Sequence, residues 1–501
     1  MKKILIYLIL FNLVLASGCK DFLDLPPKNQ RAVTTLDDVK SVLAGYLDAF
    51  ARTNMRPIVG PYPIITEQQN MMFEAYSDNF NFSKNMELGR YIAANNYYGN
   101  EKFYADKLLF NDITTPAYIW ENYYQVIGFL NALIDQSDDL READPEELKR
   151  VKGEMMVHRA FYAFKLQQYF APIDKEEMGI PLYLHTGGEV VGIEMKRLKQ
   201  TEVYAIIIND LKQALAFYEE VGMNQGYNRF FNARYIQNLL AQVYWFKSGS
   251  SAKHADDYKY ARDYALGAVN GVEAYIPKTL IDFRNVQRNL DPQYPAHYME
   301  SPAFSYVAAM YGSPLDYLGF APTDLIVNND LYELFDNGDF RKEAYFVEVE
   351  GMPAMSRSWP DGINPGNKPL RIYLFAPEEA YLILAEGYYE TGQPAQALTT
   401  LNLFKSFRGA AQRNDLTGSD ILTEIINERR KEFFTDTDKR WLDLKRYKIN
   451  KTIQRTLRFF NADHTVKVEP GDYHYALPIP LSELEQNPDI VPNTGWDPIV
   501  F

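Results

Sequence analysis

Cysteine is nearly absent: a single one, Cys19, stands in 501 residues, so no intrachain disulfide and no cysteine metal cluster can form. Histidine is almost as scarce, and His158, His185, His254, His297, His464 and His474 lie too far apart for an HExxH or any dense ligand set. No metal or other cofactor is therefore expected. Basic residues are outnumbered by acidic ones, 52 to 66, and the net charge of −14 repels phosphate backbones. The most basic runs, EMKRLK and INERRKEFF, mix both signs, which argues against a nucleic-acid partner. Neither a GxxxxGK[ST] loop nor a GxSxG elbow occurs. Ser250 with Lys253 and Ser77-Asp78-Asn79 spell two acyl-transferase motifs, but in the wrong chain order, and Lys278-Thr279 is followed by Leu280 where glycine is needed.

Long apolar runs are missing too, except at the start. Lys2 and Lys3 precede an apolar stretch from Ile4 to Leu15, followed by Ala16, Ser17, Gly18 and Cys19. A dozen residues at 1.5 Å rise cannot cross about 30 Å of hydrocarbon as a helix, so the stretch reads as an export signal. LASGC resembles the lipobox of bacterial lipoproteins, with Ala16 where leucine is usual. The resemblance implies cleavage before Cys19 and a diacylglyceryl anchor on its thiol. Residues 1–18 are then the signal and 19–33 a tether, and the mature chain keeps a net charge near −16.

What the chain has in plenty is aromatic: 37 Tyr, 30 Phe and 5 Trp. Tyrosine offers a flat apolar face and a polar tip, useful in cores with a wet edge and on binding surfaces. Helical periodicity begins after Thr34 and Thr35, with Leu36, Val39, Val42, Leu43, Tyr46 and Leu47 on one face. From Pro57 to Thr115 it dissolves into segments such as FEAYSDNFNF and RYIAANNYYGN, a long irregular insertion of the kind that carries function. It returns at Pro116, and Asp144, Pro145 and Glu147 supply a cap, a first-turn proline and a capping-box acid for a helix running to about Tyr169.

In APEEAYLILAEGYYETGQPAQALTTLNLF, Tyr388, Gly392 and Ala397 reproduce the aromatic, glycine and alanine spacing of a tetratricopeptide repeat. Trp245 and Gly249 echo it, with Ala261, Ala265 and Ala268 on the partner helix. Between about Glu273 and Leu370 the pattern is lost again, and short strands or hairpins are expected there without assigned positions. Asp336, Asn337 and Asp339, and Asp436 with Asp438, lack the density of a calcium loop and read as solvated loop acids. The charges Glu428, Arg429, Arg430, Glu432, Arg440 and Asp443 read as structural, forming pairs within their helix at a few tenths of a kcal/mol each.

Five strings in order, CKDFLDLPP, HRAFYAFKLQQYFAPID with GIPLY, the repeat above, INERRKEFFTDTDKRWLDLKRY and YALPIPLSELEQNP, resemble the SusD/RagB family of nutrient-binding outer-membrane lipoproteins. TDTD and VPNTGW depart from the family's usual Phe-Glu-Gly and Gln-Asn-x-Gly-Tyr. The resemblance implies a mainly α SusD-like fold, with tetratricopeptide-like helix pairs and a loop-rich subdomain with few short strands. It divides residues 34–501 into N-terminal helices and a ligand-loop insertion (34–115), helical repeats (116–272 and 376–410), a middle insertion (273–370) and a C-terminal signature region (419–501).

It further implies a non-enzymatic chain that captures an oligosaccharide at the cell surface and passes it to a SusC-like TonB-dependent transporter. By position, ligand contact falls to Asp78, Tyr91, Asn96, Tyr97, Tyr98, Tyr311 and Trp359. Sugar rings stack on such aromatics while hydroxyls take polar partners. The alternatives are a RagB-like peptide binder, a helical-repeat protein adaptor and an exported polysaccharide-degrading enzyme, whose paired carboxylates are a spatial feature the sequence leaves open.

Overall fold

The computed structural model describes residues 33–51, 73, 76–81, 114–185, 195–222, 230–286, 298–301, 325–355, 372–434, 438–459 and 462–496. The chain is mainly helical, with α1 (Leu36–Ala51), α2 (Thr114–Asp138), α3 (Pro145–Phe170), α4 (Gln200–Val221), α5 (Ala233–Lys247) and α6 (Asp257–Val269) in the first half. Local chemistry sets the starts. The Asp38 carboxylate accepts from the Thr34 and Thr35 amides at 3.2 and 3.0 Å while Thr35 Oγ1 accepts from Asp38 N, a reciprocal cap on α1. Asp144 caps α3 by accepting from the Glu146 and Glu147 amides at 2.9 and 3.0 Å. Glu147 does not close a capping box as its spacing suggests: its carboxylate meets Lys40 of α1 at 2.9 Å and Arg150 at 3.0 Å.

The short helices α7 (Leu280–Val286), α8 (Asn329–Tyr332) and α9 (Phe340–Tyr345) lead to the second helical block. This block comprises α10 (Pro377–Glu390), α11 (Pro394–Phe407), α12 (Ser419–Glu432) and α13 (Lys439–Tyr447), with α14 (Leu481–Gln486) near the end. Helix α3 packs on α2 and α4, α5 on α6, α6 on α10, and α10 on α11 and α12. The repeat spacing is realised at the α10–α11 turn, where Gly392 takes a φ of +75° that side-chain-bearing residues rarely adopt, and Pro394 opens α11. Ala380, Ala385, Ala397 and Leu401 are all fully buried between these helices.

In the weaker copy, Gly249 has a different use. A Cβ there would fall 2.7 Å from Arg446 Cγ, so the glycine lets the arginine lie against it, with its guanidinium 3.9 Å from the centroid of the Trp245 ring.

The strands unplaced by periodicity are β1 (Tyr298–Ser301), β2 (Leu325–Ile326), β3 (Phe346–Val349), β4 (Met352–Met355), β5 (Ile372–Phe375) and the hairpin β6 (Ile453–Phe459) with β7 (Ala462–Val468). All pairings are antiparallel: β1 with β5, β4 between β2 and β3, and β6 with β7. Among the described residues no helix is long and apolar enough to cross a membrane.

Candidate functional site

Strand register gives the first clue to a site. Ser301 pairs with Ile372, and Leu325 pairs with Met355. The segment from 302 to 324, which contains Tyr311, therefore runs between the same two pairs of strands as the segment from 356 to 371, which contains Trp359. A third segment leaves from the same place. Phe80 bridges Val327, Asn81 N donates to Ile326 O at 3.0 Å, and Asn328 N donates to Asn79 O at 2.9 Å. Residues 82–113, with Tyr91, Asn96, Tyr97 and Tyr98, thus start where the 302–324 segment ends. Those six residues and Cys19 lie outside the described residues, but the ends of the segments that carry them share one root.

The root is fastened by charge. Asp78 is only 2% exposed. Arg440 donates Nε and Nη2 to its two carboxylate oxygens at 2.6 and 3.0 Å, and Lys451 Nζ lies 2.8 Å from Oδ2. Arg430 donates to the Asp78 carbonyl at 2.8 Å and to Asn79 Oδ1 at 3.3 Å, and also reaches Asp330 at 3.2 Å. Burial works to raise the Asp78 pKa, yet Arg440, Arg430 and Lys451 overcome it and hold the carboxyl far below its usual range. The placement corrects the expected role of Asp78: its oxygens are occupied by cations of the protein itself, and the residue locks this part of the Pro57–Thr115 insertion onto the C-terminal helices. Phe434, stacked on Phe80 at 5.5 Å, adds an apolar clasp.

The C-terminal charges are structural, but most of them do not form the intrahelical pairs that their spacing suggests. Lys431 with Glu428, at 2.6 Å, is such a pair. Apart from the local contact of Arg341 with Asp339, the N-cap of its own helix, the others cross between elements and are buried. Arg341 of α9 contacts Asp339, Glu428 and Glu432; Arg408 joins Glu432 at 2.6 Å and Glu378 at 3.0 Å; Arg429 reaches Asp443 at 3.2 Å. Sequence reasoning missed Arg341, Arg408 and Lys451 because their partners lie tens of residues away.

The loop acids also differ from expectation. Asp339 and Asp438 are buried rather than solvated, the first on Arg341 and the second on Lys165 at 2.6 Å and Tyr169 Oη at 2.6 Å. Among the described residues no three His, Cys, Asp or Glu side chains are grouped to hold a metal ion.

Comparisons with known proteins define the class. A family described as "Starch-binding associating with outer membrane" matches residues 21–244, and the SusD family matches residues 373–496. The chain belongs to the SusD/RagB family, whose members are described as carbohydrate-binding proteins. Among solved structures, a SusD-like carbohydrate binding protein of Bacteroides vulgatus is similar over 91% of this chain and 97% of its own, with 18% identity and a TM-score of 0.64. A SusD superfamily protein of Bacteroides thetaiotaomicron matches over 92% of this chain and 100% of its own, with 21% identity and a TM-score of 0.65. These likenesses establish the SusD-like fold. No curated protein sequence matches the chain.

Proposed function

We propose that the chain captures a glycan at the cell surface, anchored to the outer membrane through a lipid on Cys19, and delivers it without chemical change to a SusC-like TonB-dependent transporter. The observation that carries this reading is the common root of the three aromatic segments. A ligand as long as an oligosaccharide needs several platforms close together on a rigid base, and a base fastened by buried ion pairs meets that need. Tyr91, Asn96, Tyr97, Tyr98, Tyr311 and Trp359 supply the stacking faces and amide partners, with Asp78 as the fastener beneath them.

The test uses a soluble form beginning at Lys20, first on a glycan array and then by calorimetry with the best binder. Combined substitution of Tyr97, Tyr98 and Trp359 by Ala is expected to weaken binding at least about a hundredfold, since aromatic stacking is worth roughly 1–3 kcal/mol per ring. Unchanged affinity in the folded variant excludes these residues. Capture of peptides in place of glycans on a parallel array shifts the cargo to peptide, and release of shortened products shifts the class to enzyme.

A further inference from the structure

A cavity of about 440 Å³ opens between the turn after α3, the end of α13 and the C-terminal coil. Its volume falls in the ordinary range for small-ligand pockets. Lys175, Lys445, Tyr473, Asn493 and Thr494 are among its walls.

The charges around it do not balance. Asp174 is paired with Lys448 at 2.5 Å, and Asp472 shares a hydrogen bond with His474 Nδ1 at 2.7 Å. Lys445 is 3% exposed and donates to two carbonyls at the end of α3, Gln168 O at 2.6 Å and Ala171 O at 2.8 Å. Arg197, beside it, likewise donates to Phe170 O, Met178 O, Gly179 O and Val491 O and to the Asn493 amide oxygen. Neither cation has a carboxylate within ion-pair distance among the described residues, and neither does the exposed Lys175. The end of a helix contributes only about half a negative charge, which leaves most of the charge on buried Lys445 and half-buried Arg197 without a counter-ion. Burial, aided by Arg197, accordingly pulls the Lys445 pKa down to about 7. Such a local surplus is conspicuous in a chain of net charge −14.

The cavity also has a fixed aromatic wall. A Cβ on Gly495, whose φ is +102°, would lie 2.5 Å from Tyr473 Cγ, so the tyrosine ring is seated directly on that glycine. The His474 ring stacks on it at 4.0 Å and the Trp496 ring meets it edge-on at 5.3 Å. A wall held this firmly loses little freedom on receiving a ligand.

We propose that this cavity is an anion-selective saccharide site, in which a uronic acid unit sets its carboxylate toward Lys445 and Lys175 and its hydroxyls against Asn493 and the rim of Tyr473. The glycan reading supplies only the ligand class, and the site is independent of the aromatic segments. Ligand-observed saturation-transfer NMR and calorimetry on the mature protein in detergent, with D-glucuronate, D-glucose and acetate as probes, test it. Glucuronate is expected to bind at least about tenfold more tightly than glucose or acetate, the scale of one charge-assisted contact. Lys175→Glu, at an exposed position, is expected to remove that advantage with circular dichroism unchanged, and Tyr473→Leu to remove ring-proton saturation. Binding is expected to persist when Tyr97, Tyr98 and Trp359 are all Ala, even if that variant has lost other glycans. Equal binding of glucose and glucuronate, equal binding of acetate, indifference to Lys175→Glu, or loss in the triple variant would each overturn the proposal.

Discussion

The helix stack α4–α6 with α10–α11 and the C-terminal layer of α9, α12 and α13 are both well buried, but the balance of forces that holds them differs: buried ion pairs such as Lys247–Asp257 occur in the stack, and they are far denser in the layer. In the stack, Val203, Ile207, Leu239, Ala261, Ala265, Ala380 and Leu401 are fully enclosed, and the helices approach through small residues. In the layer, Arg341, Glu428 and Arg429 are equally enclosed and carry full charges, and Arg408, at the end of α11, reaches into it. Apolar packing tolerates modest change by local adjustment, whereas buried ion pairs stand or fall by whether every partner is present. The layer is also the part that grips the root of the aromatic segments through Asp78. Specific geometry, more than gross stability, is what the buried charges supply there.

Acid should separate the two regions most sharply. Burial raises the pKa values of Asp78, Glu379, Glu428 and Asp438, but the neighbouring cations overcome it and hold all four below their ordinary values. A carboxylate depressed in the folded state stabilises it fully above the unfolded pKa, about 4, and loses that contribution as the pH falls toward the folded value. Asp210 and Asp443, raised by burial, act in the opposite sense but are outnumbered. The urea midpoint is therefore expected to be flat from pH 7 to about 5 and to drop steeply below about 4. A midpoint that holds or rises between pH 5 and 3 refutes the assignment of stability to the layer.

Among single substitutions the largest cost belongs to Arg341→Ala, which leaves Asp339, Glu428 and Glu432 facing one another without their shared cation. Loss of one partner from a buried cluster costs about 3–5 kcal/mol. Urea unfolding of the soluble form measures it. A loss under about 1 kcal/mol would mean that the layer is no more sensitive than an exposed pair.

The same contrast explains what the sequence made legible. Helices α3, α10 and α11 were readable because their signals are local: a cap at Asp144, proline at the first turn, glycine at a positive-φ turn and apolar spacing on one face. The ionic layer was readable only as a string of charges, since Arg440 finds Asp78 362 residues away and Arg341 finds Glu428 87 away. No periodicity encodes such distances. The strands of the middle region were hidden for a related reason: β1 and β5 are four residues each and pair across seventy residues of chain. The resemblance placed the aromatic segments, but their shared root emerges only from strand register.

A smaller effect, from the helix stack, completes the comparison. Gly387 in α10 faces α6 so closely that a Cβ would lie 2.7 Å from Arg262 Cβ and 3.1 Å from its Cα. Backbone atoms on the opposing helix cannot swing aside as a side-chain tip would, so Gly387→Ala must push α6 and α10 apart. Alanine's better helix propensity, worth about 1 kcal/mol, offsets part of that strain. Overpacking of this kind costs roughly 1–3 kcal/mol, so the net loss is expected to be about 1 kcal/mol, well below that of Arg341→Ala. Because the stack yields by adjustment while the layer does not, the variant should keep the acid profile of the parent, with its midpoint lowered by the same amount at every pH. A midpoint equal to the parent's, or a loss as large as that of Arg341→Ala, would show that the two regions do not differ in this way.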